Sequence, residues 1–491
     1  MKREHLIKPL LGHKYPTIAY GHGVFLYDED GKAYLDASSG AITAGIGHGV
    51  QDIIDAMQEQ ASKVSFVYRS QFTSEPAERL AAKLSDLAPG RDYWSFFVGS
   101  GSEATETAMK IAIQHWQEQG RHGKNKVISR RMSYHGITMG ALSMSGHTLR
   151  RRRFVPLLED FPVVAPPYCY RCPLHSTYPS CGMACADDLE TAIRRIGAEH
   201  IAAFIAEPIV GAAGGALTPP PGYYARIKAI CEHHELLFIA DEVMTGIGRT
   251  GAMFAMEHDG VEPDLIALGK GMSAGYTPMA ATMVKDRVMA PILQGSRSVM
   301  AGHTYSANPQ SAAVALAVLR YIEQHGLVQQ AADRGRYLLT KLQQLVGGIP
   351  IIGDVRGRGL LLGIEFVRDR ATKEPFPAAA GLTSRVIEKA LQKGLLVYPA
   401  SGAIDGVGDA ILVAPPMVIT EAELDLLAEL LEAAIREVME ELGVSVAAEP
   451  ARASVMPNAA PPSATTPNNT APTAATPTPN DGDPHSMTEV T

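Results

Sequence analysis

Two short apolar runs, each leading into a charged residue, constrain the fold of this chain more than any other feature. Leu236–Ala240 is followed by Asp241, and Asp264–Leu268 is followed, after one glycine, by Lys270. Short apolar runs bounded by turn residues indicate buried strands. Open α/β sheets bind ligands at the carboxyl ends of their strands. The pattern therefore predicts an α/β fold with Asp241 and Lys270 near each other at one sheet edge.

The two residue types indicate a particular chemistry. A desolvated lysine amine can form an imine with an aldehyde. A buried carboxylate can keep the ring nitrogen of a pyridine-type cofactor protonated. Lys270 and Asp241 fit these two roles. Taken alone, an Asp and a Lys of this kind would be interpreted as a turn cap and a surface lysine, and the surrounding pattern reverses that interpretation.

A glycine- and serine-rich loop predicts an anion site. The strand Phe96–Val98 leads into the loop 99–102, and a helix follows from Glu103. Free backbone N–H groups at a helix N-terminus bind phosphate well. Gly99–Ala104 also fits the G-x-G-x-x-G/A dinucleotide fingerprint. The next strand, Lys126–Ser129, runs into two arginines rather than an acidic residue, which favours a single phosphate.

Further polar residues follow other predicted strands or precede a helix. Tyr134, within the sequence SYHG, can stack on a flat ring or be a half-buried turn residue. Glu207 follows the apolar run Ile201–Ala206 and can order a substrate-side group or form a structural ion pair. Thr304 precedes a helix, and its hydroxyl could reach a phosphate.

Composition excludes several classes of protein. The chain has 491 residues, 46% of them hydrophobic, and a net charge of -8. That length allows two domains, and the acidic balance argues against nucleic-acid binding. No apolar run approaches the roughly 18 residues of a membrane-spanning helix, and the N-terminus lacks the apolar segment of a secretory signal. We expect a cytoplasmic protein with no membrane or nucleic-acid partner.

Four cysteines form a cluster in the sequence at Cys169, Cys172, Cys181 and Cys185. This spacing can hold a structural zinc ion, but the short central gap fits common zinc modules poorly. A loop of reduced thiols is the alternative. We assign no metal ligand to the chain.

The C-terminal part contains a helix and then changes in composition. Thr420 and Glu423 form a capping-box pattern, and Gly443 marks the end of the helix. The Ala/Pro/Thr/Asn-rich segment 446–491 is predicted to be disordered.

Several motifs together resemble the class III pyridoxal-phosphate (PLP) aminotransferases of fold type I, the omega-aminotransferase-like enzymes. They are GSGSEATETA, SYHG, AEP, FIADEVMTGIGRTG, PDLIALGKG, GHTYSANP, VRGRG and APP, in that order. The resemblance covers roughly residues 10–443. It implies a large PLP-binding domain (61–324) with a mainly parallel seven-stranded sheet. A small α+β domain would combine residues 1–60 with 325–445.

The resemblance also implies PLP as the cofactor and a homodimer with shared active sites. Lys270 would be the catalytic lysine that binds the cofactor, and Asp241 would pair with its ring nitrogen. Thr304 would reach the phosphate in the partner subunit, and Glu207 would lie on the substrate side. The remaining cofactor-binding residues would be Ser100, Gly101 and Ser102 at the phosphate, Tyr134 and Val243 on the ring faces, and His135.

The chain departs from the family pattern at the substrate side. Met244 stands where many members carry glutamine, and no arginine lies between Leu395 and Thr420. Many members bind a substrate carboxylate with an arginine in that region. The sequence therefore predicts a transaminase that passes an amino group from an amine or omega-amino acid to a keto acid, with pyruvate favoured over 2-oxoglutarate. Arginines elsewhere that could substitute are Arg69, Arg150 (in the four-arginine run 150–153, otherwise a solvated face or subunit contact) and Arg171.

Three other functions stay open on the sequence alone. A PLP-dependent aminomutase or racemase would use the same fold and the same lysine. A PLP-binding protein without turnover would keep the fold but lose the reaction. A nicotinamide-dependent dehydrogenase would rest on Gly99–Ala104 alone.

Overall fold

The computed structural model describes residues 5–402 and 407–444; the segment 446–491, predicted to be disordered, lies outside the described residues. The strands are β1 (Ile18–His22), β2 (Phe25–Asp28), β3 (Ala33–Asp36), β4 (Tyr93–Val98), β5 (Lys126–Arg130), β6 (Val163–Val164), β7 (Ile201–Ala206), β8 (Leu237–Asp241), β9 (Leu265–Leu268), β10 (Ala280–Lys285), β11 (Ile352–Arg358), β12 (Leu361–Phe366), β13 (Leu395–Leu396), β14 (Tyr398–Ser401) and β15 (Asp409–Val413). The helices are α1 (Ser39–Ile42), α2 (Gln51–Lys63), α3 (Glu75–Leu87), α4 (Gly101–Glu118), α5 (Met139–Met144), α6 (Thr148–Arg151), α7 (Ala184–Ile196), α8 (Tyr223–His233), α9 (Asp286–Gln294), α10 (Pro309–Gln324), α11 (Leu327–Gly348), α12 (Leu382–Gln392) and α13 (Glu421–Glu441).

The central sheet has seven strands in the order β4-β10-β9-β8-β7-β5-β6. Strand β10 is antiparallel to both of its neighbours, and the other paired strands are parallel. Every residue of β7, β8 and β9 is buried. Parallel strands covered on both faces need continuous apolar sequences, which explains the runs that predicted them. The expected mainly parallel seven-stranded sheet is confirmed.

The register of the central strands brings the polar residues to one edge. Ala206 of β7 lies opposite Ala240 of β8, so Glu207 and Asp241 follow side by side. Asp241 in turn lies opposite Ala267 of β9. Lys270 comes directly after β9 and therefore lies just beyond the same edge.

Two smaller sheets are built from the ends of the chain. Their orders are β1-β2-β3-β13 and β11-β12-β15-β14. The N-terminal hairpin joins the C-terminal part through the parallel pair β3–β13, in which Leu35 lies opposite Leu395. The two chain ends thus meet as expected, while the domain boundaries at residues 60, 324 and 445 stay a prediction.

Side-chain caps mark the N-termini of two of the helices. In the predicted capping box of α13, the Glu423 N–H donates to Thr420 Oγ1 and the Thr420 N–H donates to Glu423 Oε2, at 3.3 and 2.7 Å. Asn308 caps α10 by accepting the Ser311 N–H at 2.9 Å. In the described part of the chain, no helix is both long enough and apolar enough to cross a membrane.

Candidate active site

A cavity of about 190 Å³ opens at the carboxyl edge of the central sheet. It lies where the ends of β4, β5, β7, β8 and β9 converge. Its lining residues are Gly101, Ser102, Tyr134, His135, Gly136, Glu207, Gly211, Ala212, Asp241, Val243, Met244 and Lys270. The sheet therefore brings together eight of the site residues that the sequence predicted.

Asp241 is held in place by His135. His135 Nδ1 lies 2.7 Å from Asp241 Oδ2, and both side chains are buried. The Val243 N–H donates to the other carboxylate oxygen at 3.1 Å. A carboxylate can only accept, so Nδ1 carries the proton. Sequence reasoning placed His135 at the site but did not foresee this pairing.

Lys270 has the properties of a reactive amine. It opens a short turn after β9 with a φ of 42°, in the left-handed region that non-glycine residues rarely adopt. Burial lowers the pKa of Lys270 to about 8; Asp241 opposes this shift, and the charges of Arg249 and Arg150 add to it. Part of the side chain is accessible from the cavity. An amine of this pKa is partly neutral near physiological pH, as imine formation requires.

The N-terminus of α4 forms the predicted anion cradle. Ser100 caps the helix by accepting the Glu103 N–H, and the Glu103 carboxylate accepts the Gly99 N–H at 2.7 Å. Ser102 Oγ accepts the Ile137 N–H at 3.0 Å and faces the cavity. The helix dipole and first-turn amides favour an anion here. Ser100 itself is an exposed cap and does not line the cavity.

Glu207 orders the loop that carries Tyr134. Its Oε1 accepts the Tyr134 N–H at 2.9 Å, and its Oε2 lies 3.4 Å from Nη2 of the buried Arg130. Arg130 also donates to the Glu207 carbonyl at 2.7 Å. Glu207 thus both pairs with an arginine and fixes the main chain of Tyr134, which combines the two roles that the sequence left open.

Thr304 lies elsewhere within one chain. It is exposed and lines a separate, open cavity together with Tyr68, Arg69, Met300 and Tyr305. A single chain therefore does not bring Thr304 to Lys270. Its expected role toward a partner subunit stays a prediction.

The structure adds lining residues that the sequence did not single out. Gly136, Gly211 and Ala212 form part of the wall, and Met244, noted earlier only as a departure, is part of the same wall. A Cβ at Gly211 would lie 2.4 Å from Met244 Sδ, so these two residues are in close contact. The glycine- and alanine-rich run after Glu207 was the sequence feature that could have indicated these lining residues. Where such a loop lies in the fold, however, depends on packing against residues far away in the chain.

The cysteine segment lies outside this cavity. All five cysteines are unpaired, with Cys169 exposed and Cys185 buried. Burial raises the pKa of the Cys185 thiol to about 12 and also raises that of Cys169, which disfavours the thiolate that metals bind. Among residues 5–402 and 407–444, no three His, Cys, Asp or Glu side chains are arranged to hold a metal ion.

A larger cavity, of about 730 Å³, lies at the opposite edge of the sheet. Its cations are already matched with carboxylates: Lys228 and Arg287 with Asp264, and Lys285 with Glu262. It contains no reactive lysine comparable to Lys270. The smaller cavity is therefore the candidate active site.

Comparison with known proteins agrees with this geometry. The sequence profile of the family "Aminotransferase class-III" matches residues 12–435. The chain belongs to the class III aminotransferases. It is 54% identical over 422 residues to the uncharacterised aminotransferase YodT of Bacillus subtilis, covering 86% of this chain and 95% of that protein. It is 38% identical over 428 residues to the adenosylmethionine-8-amino-7-oxononanoate aminotransferase of Geobacter sulfurreducens, covering 86% and 92%.

Solved structures show the same architecture. A thermostable (S)-enantioselective omega-transaminase from Thermomicrobium roseum superimposes with a TM-score of 0.84 at 37% identity, covering 89% of this chain and 97% of that one. A PLP-bound amine transaminase from an uncultivated Pseudomonas species superimposes with a TM-score of 0.83 at 35% identity, covering 89% of this chain and 98% of that one. This class III aminotransferase is accordingly a PLP-dependent transaminase of fold type I.

The residues of the cavity fit PLP. Lys270 offers an amine of lowered pKa, and the buried Asp241 offers a carboxylate for a pyridinium nitrogen. The α4 N-terminus offers a site for one phosphate rather than a dinucleotide. At Gly101 a Cβ would lie 2.7 Å from Val243 Cγ1, so the cradle packs tightly on the residue expected at the ring face.

Proposed function

We propose that this transaminase moves an amino group from an amine or omega-amino-acid donor to a small keto acid, with pyruvate preferred over 2-oxoglutarate. The size and lining of the cavity carry this proposal: about 190 Å³, with Met244, Gly211 and Ala212 in the wall and, within residues 5–402 and 407–444, no arginine in the lining. The second carboxylate of 2-oxoglutarate would need a cation in such a wall. The similar omega- and amine transaminases support the donor class.

Each side chain of the cavity has a separate role in the proposed reaction. Bound PLP supplies an aldehyde that condenses with amines and a ring that withdraws electrons. The neutral amine of Lys270 would serve as the base that takes the proton from the donor carbon and then as the acid that returns it. Asp241, fixed by His135, would keep the ring nitrogen protonated. Tyr134 and Val243 would hold the ring, and Ser102 and Gly101 would hold the phosphate.

A donor and acceptor panel tests the function. Purified enzyme is incubated with β-alanine, diamines or aryl amines and with pyruvate or 2-oxoglutarate, and product formation is measured. We expect turnover with pyruvate, slower turnover with 2-oxoglutarate, and none with Lys270→Ala. Equal or faster turnover with 2-oxoglutarate would contradict the acceptor preference, and product formed without any keto acid would indicate an aminomutase or racemase.

We also propose a homodimer in which Thr304 contacts the cofactor phosphate of the other subunit. Thr304 is exposed beside a group of exposed aromatic side chains, Phe66, Tyr68 and Tyr305. Exposed apolar surface of this kind is typical of a subunit interface. The cytoplasmic location expected from the sequence stays a prediction that cell fractionation would test.

Subunit mixing distinguishes a contact between subunits from a contact within one. Lys270→Ala and Thr304→Ala chains are unfolded together, refolded and assayed. If Thr304 serves the neighbouring site, each mixed dimer contains one site with both native residues, and activity exceeds that of either variant alone. If activity does not rise although mixed dimers form, the shared-site proposal is wrong.

A further inference from the structure

Arg150 contacts Tyr134, one of the residues that line the active-site cavity. Its guanidinium carbon lies 4.6 Å from the centre of the Tyr134 ring. Nη1 makes a long hydrogen bond of 3.4 Å to the Tyr134 hydroxyl. Tyr134 itself lines the cavity beside Lys270. Arg150 therefore contacts a ring that also forms part of the active-site wall.

The charge of Arg150 is not neutralised by the protein. Its side chain is exposed, and within residues 5–402 and 407–444 it forms no ion pair with a carboxylate. The contact with Tyr134 uses the ring face and one long hydrogen bond, so most of the five guanidinium N–H groups stay available. Stacking on an aromatic face holds an arginine in position and leaves the edge of its fork free for a planar anion.

The other two arginines considered from the sequence have their contacts away from the cavity. Arg69 donates to the Ala301 carbonyl at 2.5 Å and stacks on Phe96. Arg171 forms an ion pair with the buried Glu365 at 2.6 Å. Neither lines the cavity. Of the three, Arg150 alone contacts an aromatic residue that lines the cavity.

The charge of Arg150 also acts on the reacting lysine. The charge of Arg150 is among the causes that lower the pKa of Lys270, after burial and together with Arg249. Arg249 is buried and donates to the Leu360 and Pro415 carbonyls. Of these two cations Arg150 is the exposed one, and a substrate anion near it would be attracted.

We propose that Arg150 is a specificity-determining residue that binds the carboxylate of the substrate, as a bidentate partner beside Tyr134. This inference rests on the proposed function, because it assigns the group that recognises small carboxylate substrates in a cavity whose wall contains no arginine. It also gives one member of the run 150–153 a role distinct from that of its neighbours. Amines and aldehydes without a carboxylate do not use this contact.

Paired acceptors test the assignment. Pyruvate and acetaldehyde differ by the carboxylate, so the ratio of their kcat/KM values isolates its recognition. Arg150→Ala should lower this ratio about 10- to 100-fold, as expected for loss of a charge-assisted hydrogen-bonding partner. Arg150→Lys should recover part of the loss. Arg153→Ala, which removes an exposed arginine of the same run, is the matched control and should leave the ratio unchanged.

Donors of increasing length locate the carboxylate. β-Alanine and 4-aminobutyrate are compared with propylamine and butylamine in the same variants. For each pair we compare the ratio of kcat/KM between the amino acid and the simple amine. The chain length at which Arg150→Ala lowers this ratio most indicates how far Arg150 lies from the reacting amine. Calorimetric titration with propionate, which cannot react, measures carboxylate binding without turnover, and Arg150→Ala should weaken it while Arg153→Ala should not.

The outcomes separate this inference from the proposed function. If the native enzyme does not transaminate any donor with pyruvate, the proposed function fails. If the native enzyme is active but Arg150→Ala changes neither the pyruvate/acetaldehyde ratio nor propionate binding, the assignment of Arg150 is wrong. An equal loss for Arg153→Ala would show a general effect of surface charge and would also overturn it.

Discussion

At the scale of single residues, the site depends on a lysine that is made reactive by its surroundings. Burial is the largest cause of the lowered pKa of Lys270, and two arginines add to it against the opposing Asp241. The carboxylate of Asp241 is meanwhile held by His135 at 2.7 Å. The two charged groups that the sequence placed at strand ends are therefore tuned by neighbours that lie far away in the chain.

The pH dependence of cofactor binding follows from the pKa of Lys270. The unperturbed value is 10.5 and the folded value about 8, so the neutral amine accumulates as the pH rises through about 8. We expect the rate at which the apoprotein captures PLP to rise about tenfold per pH unit below 8 and to level off above it. Stopped-flow absorbance measures this rate. Free Nα-acetyl-lysine is the control, and a protein midpoint near 10.5 would contradict the prediction.

At the scale of elements, the start of α4 must pack closely against the loop after β8. A Cβ at Gly101 would meet Val243 Cγ1 at 2.7 Å and Cγ2 at 3.1 Å. Real Cβ atoms do not approach so closely, so either the helix start or the Val243 loop would have to move. The anion cradle and the ring-packing residue are in this way coupled through a single glycine.

The coupling predicts a result for a double-mutant cycle. Gly101→Ala should weaken PLP binding about tenfold or more, because overpacking displaces the cradle. In the Val243→Ala background both obstructing methyl groups are absent, so Gly101→Ala should weaken PLP binding less than it does in the native protein. Equilibrium dialysis of PLP gives the dissociation constants. Strictly additive effects of the two substitutions would show that the predicted contact does not matter.

At the scale of the whole molecule, one buried carboxylate joins three parts of the chain. Glu365 of β12 pairs with Arg171 from the cysteine segment and with Arg356 of β11, at 2.6 and 2.7 Å. Arg356 also donates to the carbonyls of Gly214 and Gly215, at 2.8 and 3.0 Å. These glycines follow the cavity-lining residues 211–212. Glu365 thus stabilises the contact between a small sheet, the cysteine segment and the active-site loop.

Removing the charge of Glu365 should lower the free energy of unfolding substantially. Glu365→Gln leaves Arg171 without its carboxylate partner and Arg356 with Asp354 alone, and breaking a buried ion pair of this kind typically costs about 3 kcal/mol or more. Glu374→Gln, in the half-exposed pair with Arg368, is the control and should cost less than about 1 kcal/mol. Urea unfolding gives both free energies. Similar losses for the two variants would mean that Glu365 contributes no more than a surface pair.

Much of the architecture could be predicted from sequence because its signals are local. Buried parallel strands require apolar runs, and these gave β7, β8 and β9 within one residue. The α4 helix was expected from Glu103 and begins at Gly101, because Ser100 rather than the glycines acts as its cap. The four-cysteine spacing was ambiguous for the opposite reason: whether thiols converge on a metal depends on loop packing.

By itself the sequence determined the parallel sheet, the placement of Asp241 and Lys270 at its edge, the anion cradle before α4 and the family to which they point. Strand and helix patterns encode these features directly, and the topology of a parallel sheet brings their ends together. Only the tertiary structure decided that His135 holds Asp241, that Met244 and Gly211 share the cavity wall, and that Arg150 rather than Arg69 or Arg171 stacks on the cavity-lining Tyr134. Those contacts join residues distant in the chain, and they are fixed by packing rather than by any local pattern.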